Sequence, residues 1–273
     1  MTSSMVKEAL AEDAADNDIT SIATIVSGRR SRCAIIARQP GVIAGIALAR
    51  EAFKQRDERA SVRAAVKDGQ RVVAGTPVLF VTGHARGLLS AERVALNYMQ
   101  RLSGVSTLTR QFVDAIKGTK AKILDTRKTT PGWRRLEKYA VRAGGGLNHR
   151  MDLGAAVLIK DNHIAAVGGD VAMAVQRAKE AAPAGIPVEV ECDNIEQVRA
   201  ALDALPDIIM LDNMPAARLR EAVALINGRA VTEASGGVNL ETVRSIAETG
   251  VDWISVGAIT HSAKALDLAL DFQ

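Results

Sequence analysis

From residue 188 onward the chain keeps one interval. Short apolar runs begin at Val188, Ile208, Ala230 and Trp253, 20 to 23 residues apart. The stretches between them carry the apolar spacing of amphipathic helices. A connection of that length leads a strand to a parallel neighbour through one helix, and it is too long for a hairpin. Two earlier runs fit the same scheme, so six strands are expected at residues 123–125, 157–160, 188–191, 208–212, 230–233 and 253–256. The alternation predicts a parallel sheet closing into an α/β barrel, either incomplete or with one strand unread.

Residues 1–104 have a different pattern. A short helix over 6–12 precedes strand-like runs at 32–37, 62–66 and 77–82, punctuated by Gly41, Gly45, Gly69, Gly75 and Gly83. A helix over 91–102 follows, with Val94, Ala95, Tyr98 and Leu102 on one face. Strands followed by helices predict an α+β layer domain. The chain therefore divides into a first domain over 1–104 and a barrel over 105–273.

Composition narrows the function classes. Apolar residues make up 48% of the 273 positions, enough for two cores, and the formal charge is only +4. The eight aromatic residues are not interleaved with basic runs, so the stacking platforms of a nucleic-acid binder are lacking. Cys33 and Cys192 are the only cysteines and form no CxxC motif, which fits a reducing cytoplasm. The acidic N-terminus lacks the apolar core of a signal peptide, and no apolar run reaches the roughly 18 residues of a membrane span.

The chemistry gathers where barrels keep it, at the C-terminal ends of the strands. The first run leads into Asp125-Thr-Arg-Lys128 and the second into Lys160-Asp-Asn-His163. The next two lead into Glu191-Cys-Asp193 and Asp212-Asn213, and the last two into Ser235-Gly-Gly237 and Gly257-Ala258, with His261 just beyond. One polar strand end is ordinary solvent contact; six in succession outline a site. The glycine loops of the last two units suit phosphate, because backbone N–H groups can approach its oxygens closely. Asn239 and Ser262 are candidate caps for helices following those loops. Arg127, Lys128, His149, Arg150 and Lys160 would repel one another around one mouth unless an anion joins them. Glu191 and Asp212 suit magnesium or ribose hydroxyls, or an ion pair to Lys160 or Arg127. Glu189 shares the strand face of Glu191 by the period of two and is the alternative working carboxylate. No GxSxG, P-loop, GxGxxG or HExxH occurs. His163 is expected to orient a neighbour or sit in a core.

Several of these segments resemble one family. Asp125-Thr-Arg-Lys-Thr-Thr-Pro-Gly132, Gly144-Gly-Gly-Leu-Asn-His-Arg150, Leu158-Ile-Lys-Asp-Asn-His163, Glu233-Ala-Ser-Gly-Gly237 and Ser255-Val-Gly-Ala-Ile-Thr-His-Ser262 closely resemble the quinolinate phosphoribosyltransferases. The resemblance extends upstream through Leu96-Asn-Tyr-Met-Gln-Arg-Leu-Ser-Gly104 and Asp18-Ile-Thr20, and so covers essentially the whole chain. Trp133, Ala155 and Asn17 depart from the usual pattern, and none is an expected ligand. A paralogous group associated with molybdenum transport shares the Thr-Arg-Lys-Thr core but loses Lys-Asp-Asn-His, which is intact here.

The resemblance implies an N-terminal α/β sandwich, a partial barrel of about seven strands, and a homodimer whose sites are completed by the partner. It implies a pentosyltransferase that joins quinolinate to phosphoribosyl pyrophosphate, releases carbon dioxide and uses magnesium. By matching motif, Arg127, His149, Arg150 and Lys160 would hold the quinolinate carboxylates, with Arg101 from the other subunit. Lys128 and Lys160 would meet the pyrophosphate, and Glu191 and Asp212 would serve ribose and Mg2+. Ser235, Gly236, Gly257 and His261 would cradle the 5-phosphate. A nicotinate-using relative, or a silent phosphate sensor or nucleic-acid binder on the same scaffold, are the competing functions.

Overall fold

The computed structural model describes residues 2–273. In chain order the first elements are α1 (Thr2–Glu12), α2 (Ile19–Thr24), β1 (Arg30–Ala37), β2 (Gly41–Val42) and α3 (Ile46–Arg56). They are followed by β3 (Ser61–Ala64), β4 (Arg71–Val72), β5 (Pro77–His84) and α4 (Ala85–Ala115). Then come β6 (Lys122–Leu124), α5 (Arg134–Gly144), β7 (Val157–Ile159), α6 (Asp161–Ala166), α7 (Val171–Ala181), β8 (Val188–Cys192) and α8 (Ile195–Asp203). The series closes with β9 (Ile208–Asp212), α9 (Ala216–Ile226), β10 (Val231–Ser235), α10 (Val243–Ala247), β11 (Trp253–Ser255), α11 (Ala258–His261) and β12 (Leu268–Phe272).

Two compact units result. One comprises residues 1–108, 142–145 and 263–273; the other comprises 109–141 and 146–262. In sequence the boundary was expected near residue 104. In space the last eleven residues of the expected barrel segment belong to the first unit, because β12 pairs antiparallel with β1, placing Cys33 opposite Phe272. The tail leading to it is tied to α4, where Leu266 N–H donates to the Gln100 carbonyl and the Gln100 amide donates to that of Leu268.

The first unit is built on an antiparallel sheet of order β12-β1-β5-β3, with a separate β2–β4 pair. The three strands expected at 32–37, 62–66 and 77–82 are its β1, β3 and β5. The expected helix over 91–102 is the middle of the much longer α4. Helix α3, which the sequence pattern did not single out, buries Leu48, Ala49, Ala52 and Phe53 and contacts α1.

All six expected barrel strands form, in one parallel sheet of order β6-β11-β10-β9-β8-β7. The first strand pairs with the last, Trp253 opposite Lys122, as in a barrel that curls on itself. The ladder is interrupted between β6 and β7, where Leu147 makes only an isolated parallel bridge to Leu124. The sheet thus has six strands, and the seventh place is held by that single bridge. Strand β9 is buried along Ile208, Ile209, Met210 and Leu211, as parallel strands covered on both faces must be.

Candidate active site

A cavity of about 290 Å3 opens within the barrel unit. All five cationic candidates line it: Arg127 and Lys128 after β6, His149 and Arg150 before β7, and Lys160 at the end of β7. Leu158 and Met210 provide an apolar wall, and Ser235, Ser255, Thr126 and Glu233 add polar atoms. One cavity thus receives residues from five of the six strand ends, the arrangement that parallel strands and the barrel rule predict.

The guanidinium groups are the least comfortable. Arg127 Nε is buried without a hydrogen-bond partner. Arg150 donates through Nη1 to the Ala156 carbonyl at 3.0 Å. Burial and the neighbouring Arg127 charge both push Arg150 below its usual range, and Glu189 opposes them. Two partly desolvated guanidiniums side by side form a ready receptor for carboxylates, each able to accept a forked pair of hydrogen bonds.

Strand β8 carries two carboxylates on one face, and they do different things. Glu191, near the strand end, pairs with Lys160 at 2.5 Å. This is the ion pair the sequence left open as an alternative to metal or ribose. Glu191 also lies with Asp193 and Asp212 so that one ligand atom from each falls within 4.8 Å of the others. Asp212 accepts from the Asn213 amide at 2.6 Å. Glu189, one step deeper, is buried and lies 3.1 Å from His149 Nε2. Glu233 on β10 lies 3.6 Å from the same nitrogen. Burial and the Glu189 charge push Glu233 up to about 8, against the pull of His149 and the Ser255 hydroxyl.

The His149 ring is engaged at both nitrogens. Its Nδ1 accepts from the Arg150 N–H at 2.8 Å while Nε2 faces Glu189. Burial disfavours the imidazolium, but the Glu189 hydrogen bond and the charges of Glu233 and Glu189 outweigh it and raise the ring above its usual range. His149, expected to help hold a substrate carboxylate, has both ring nitrogens engaged by the protein in this arrangement.

Beneath the cationic loop lies a charged support that sequence reasoning missed. Asp125 and Lys138 are fully buried and paired. Asp125 also accepts from the Asn148 amide at 2.5 Å and the His149 N–H at 2.9 Å, and Lys138 donates to the His149 carbonyl at 3.0 Å. Burial raises Asp125 above its usual range, opposed by these partners. Asn148 stands in a matched motif without an assigned role, and Lys138, on α5, lies outside every strand end from which the site was read.

The glycine loops after β10 and β11 are tightly packed turns. Gly236 has φ +88°, and a Cβ there would lie 2.2 Å from Asn213 Oδ1, so only glycine fits. A Cβ on Gly257 would meet Lys128 Cδ at 3.1 Å and His261 Nε2 at 3.2 Å, which places these three expected residues together. Asn239 accepts from the Glu241 and Thr242 N–H groups in the turn before α10. Ser262, expected to begin a helix, instead ends α11. His163 orients its neighbour, Nδ1 accepting the Lys160 N–H at 3.0 Å. Arg101 does not line the cavity; it lies on α4 and donates to the Ala263 carbonyl at 2.9 Å within the first unit. Burial pushes both cysteine thiols up to about 12, which removes them as nucleophiles.

Comparison with known proteins decides the lineage. Residues 18–103 and 105–271 match the N-terminal and C-terminal domains of quinolinate phosphoribosyl transferase. The chain belongs to the quinolinate phosphoribosyltransferase family. It is 48% identical to the nicotinate-nucleotide pyrophosphorylase [carboxylating] of Mycobacterium leprae, over 97% of this chain and 95% of that one. It is 47% identical to quinolinate phosphoribosyltransferase [decarboxylating] 2b, mitochondrial, of Nicotiana tabacum, over 97% of this chain and 80% of that one. The solved nicotinate-nucleotide pyrophosphorylase of Francisella tularensis superposes with a TM-score of 0.94 at 40% identity, covering all of this chain and 96% of that one. No helix of the chain's described residues is long and apolar enough to cross a membrane.

Proposed function

We propose that the chain catalyses decarboxylating phosphoribosyl transfer in NAD biosynthesis. Quinolinate and phosphoribosyl pyrophosphate are the substrates; nicotinate mononucleotide, pyrophosphate and carbon dioxide are the products. The observation that carries this reading is the pair Arg127 and Arg150. Two crowded guanidiniums, one with a buried Nε lacking a partner, call for a dianion in that cavity. Quinolinate is a planar dianion of matching chemistry.

The residues then divide the work by charge. Arg127 and Arg150 hold the two carboxylates and orient the pyridine nitrogen toward the anomeric carbon. Lys128 and Lys160 stabilise the departing pyrophosphate, and Ser235, Gly236, Gly257 and His261 hold the 5-phosphate. As the C1–pyrophosphate bond breaks, positive character develops at the sugar and the ring nitrogen captures it. The quaternary nitrogen then stabilises the electron pair left on C2 when carbon dioxide departs, and a proton from the medium completes the product. Bringing two anions together against their repulsion is the main task of the cations.

The partly exposed carboxylates Glu191, Asp193 and Asp212 suit a hard cation, so Mg2+ fits there, held by Glu191 and Asp212. When bound it would neutralise charge on the pyrophosphate. Buried free thiols suit the cytoplasm, the compartment we assign.

The test is an assay with quinolinate, phosphoribosyl pyrophosphate and magnesium in which carbon dioxide and mononucleotide are both measured. Equimolar formation supports the reading; turnover of nicotinate without carbon dioxide would replace it. Arg101 is assigned to the site of a second subunit in a two-fold dimer, which complementation checks. Arg101→Ala and Lys128→Ala homodimers should be nearly inactive. Randomly mixed subunits should recover roughly a quarter of wild-type activity, since half the dimers are mixed and half their sites carry neither lesion. Baseline activity after confirmed exchange would return Arg101 to its own chain.

A further inference from the structure

The trio His149, Glu189 and Glu233 is buried behind the cations and has no part in the reaction as described above. Its donor atoms lie within 4.8 Å of one another, close enough to hold a metal ion. The tautomer argues otherwise. A backbone N–H can only donate, so the 2.8 Å contact from Arg150 N makes His149 Nδ1 an acceptor. An imidazolium has no acceptor nitrogen, so despite the pull of the two carboxylates toward the charged form this contact fixes the ring as neutral with its proton on Nε2, and a protonated nitrogen cannot ligate a cation. Nε2–H instead points at Glu189, 3.1 Å away. Glu189 and His149 therefore form a chain of hydrogen bonds running from Glu189 through the ring to the Arg150 backbone, with Glu233 beside it 3.6 Å from Nε2.

The chain ends at the backbone of Arg150, whose guanidinium is partly desolvated beside Arg127. Arg150 is pushed below its usual range by burial and by Arg127, and Glu189 is the group that opposes this. The Arg150 guanidinium is anchored through Nη1 on the Ala156 carbonyl. Its backbone is located by His149, whose own N–H and carbonyl are held by Asp125 and Lys138. Removing Glu189 would leave Nε2–H without its acceptor and Arg150 without the carboxylate charge that opposes its desolvation.

We infer that Glu189 is a positioning residue for the acceptor substrate: through the His149 ring it sets Arg150 beside Arg127 in the geometry that receives the two ring carboxylates. Glu191, two residues along β8, restrains Lys160 in the same manner on the other side of the cavity. One strand thus supplies a counter-ion to each half of the site, the inner for the dicarboxylate and the outer for the phosphate-bearing partner. This rests on the quinolinate reading above.

The experiment is calorimetric titration and steady-state kinetics on Glu189→Ala, Glu189→Gln and His149→Ala, with thermal unfolding as a folding control. Wild-type protein is titrated first with quinolinate; no binding there would sink the functional reading itself. Given wild-type binding, Glu189→Ala should weaken quinolinate at least about tenfold, a preorganisation loss, with phosphoribosyl pyrophosphate affinity changed less than about twofold. Glu189→Gln keeps an acceptor for Nε2–H and should recover part of that loss. The double variant Glu189→Ala with His149→Ala should be no weaker than the worse single variant, because both act along one chain. If Glu189→Ala does not fold, Glu189→Gln and His149→Ala carry the test, and both should still raise KM for quinolinate selectively. Equal weakening of both substrates, full additivity, or unchanged quinolinate binding would each overturn the inference. Stoichiometric Zn2+ or Mn2+ retained by wild type and lost in Glu233→Gln would overturn it in favour of a metal centre.

Discussion

The two units bury polarity in different ways. In the first, the polar groups taken fully out of water are mostly hydroxyls with backbone partners: Ser103 donates to the Ala44 carbonyl and Ser106 to that of Val42. In the barrel unit the buried groups include ionisable side chains, with Asp125, Glu137, Lys138 and Glu233 at 0% exposure and Glu189 at 1%. Buried hydroxyls with carbonyl partners are a neutral way of closing a core. Buried charges are costly to desolvate, and they persist only where good geometry and further hydrogen bonds offset that cost. Here every one of those described above lies on or beneath a loop that carries a cavity residue. The difference teaches where to look: the first unit is built for packing, and the barrel holds charge in place for a ligand.

The largest expected effect breaks that contrast at its base. Lys138→Met leaves Asp125 buried without its counter-charge and should destabilise the barrel unit by about 3–5 kcal/mol. Ser103→Ala in the first unit should cost only about 1 kcal/mol. Denaturant unfolding of both variants measures this, and equal losses would erase the distinction.

At the cavity, Lys160→Ala should lower kcat/KM by at least about two orders of magnitude, as for a preorganised charge at a reacting centre. Lys179→Ala is the control: Lys179 lies on α7 and donates to the Leu205 carbonyl, away from the cavity. Comparable kcat/KM in the two variants would refute the site.

Glu233 gives the barrel unit a pH signature of its own. Its pKa is about 8 in the folded chain, against 4.5 ordinarily, so the folded state binds the extra proton between those values. Stability contributed by this proton is present at low pH and is lost as pH rises from about 4.5 through about 8, at up to about 1.4 kcal/mol per unit. Melting temperature followed from pH 5 to 8 should fall more steeply in wild type than in Glu233→Gln. Parallel curves would show that Glu233 does not hold the proton.

The smallest effect sharpens the comparison. Arg150→Lys keeps the charge but loses the fork, and should weaken quinolinate about tenfold with little change for phosphoribosyl pyrophosphate. Equal weakening of both would reduce Arg150 to a general positive field.

Much of this was legible before any coordinates. The six barrel strands announce themselves because each is a short apolar run ending in charge, and the connecting helices have their own period. Helix α3 was not, since its alternation of Ala, Arg and Lys with few large apolar residues gives a weak stripe, and its start at Gly45 looks like a turn. Strand β12 was missed because its only announced partner, β1, lies more than two hundred residues away, and pairing at that distance leaves no local trace.

The sequence by itself determined which residues stand at the barrel mouth, because strand direction and the period of two dictate which side chains reach that end. It also determined the family. Which carboxylate serves which cation was decided only in three dimensions. Glu189 and Glu191 share one face of β8 and are indistinguishable in pattern, yet one step of depth separates a 1% exposed side chain facing His149 from an 11% exposed one facing Lys160. Depth sets desolvation, desolvation sets what partner a charge requires, and neither is written in the spacing of the residues.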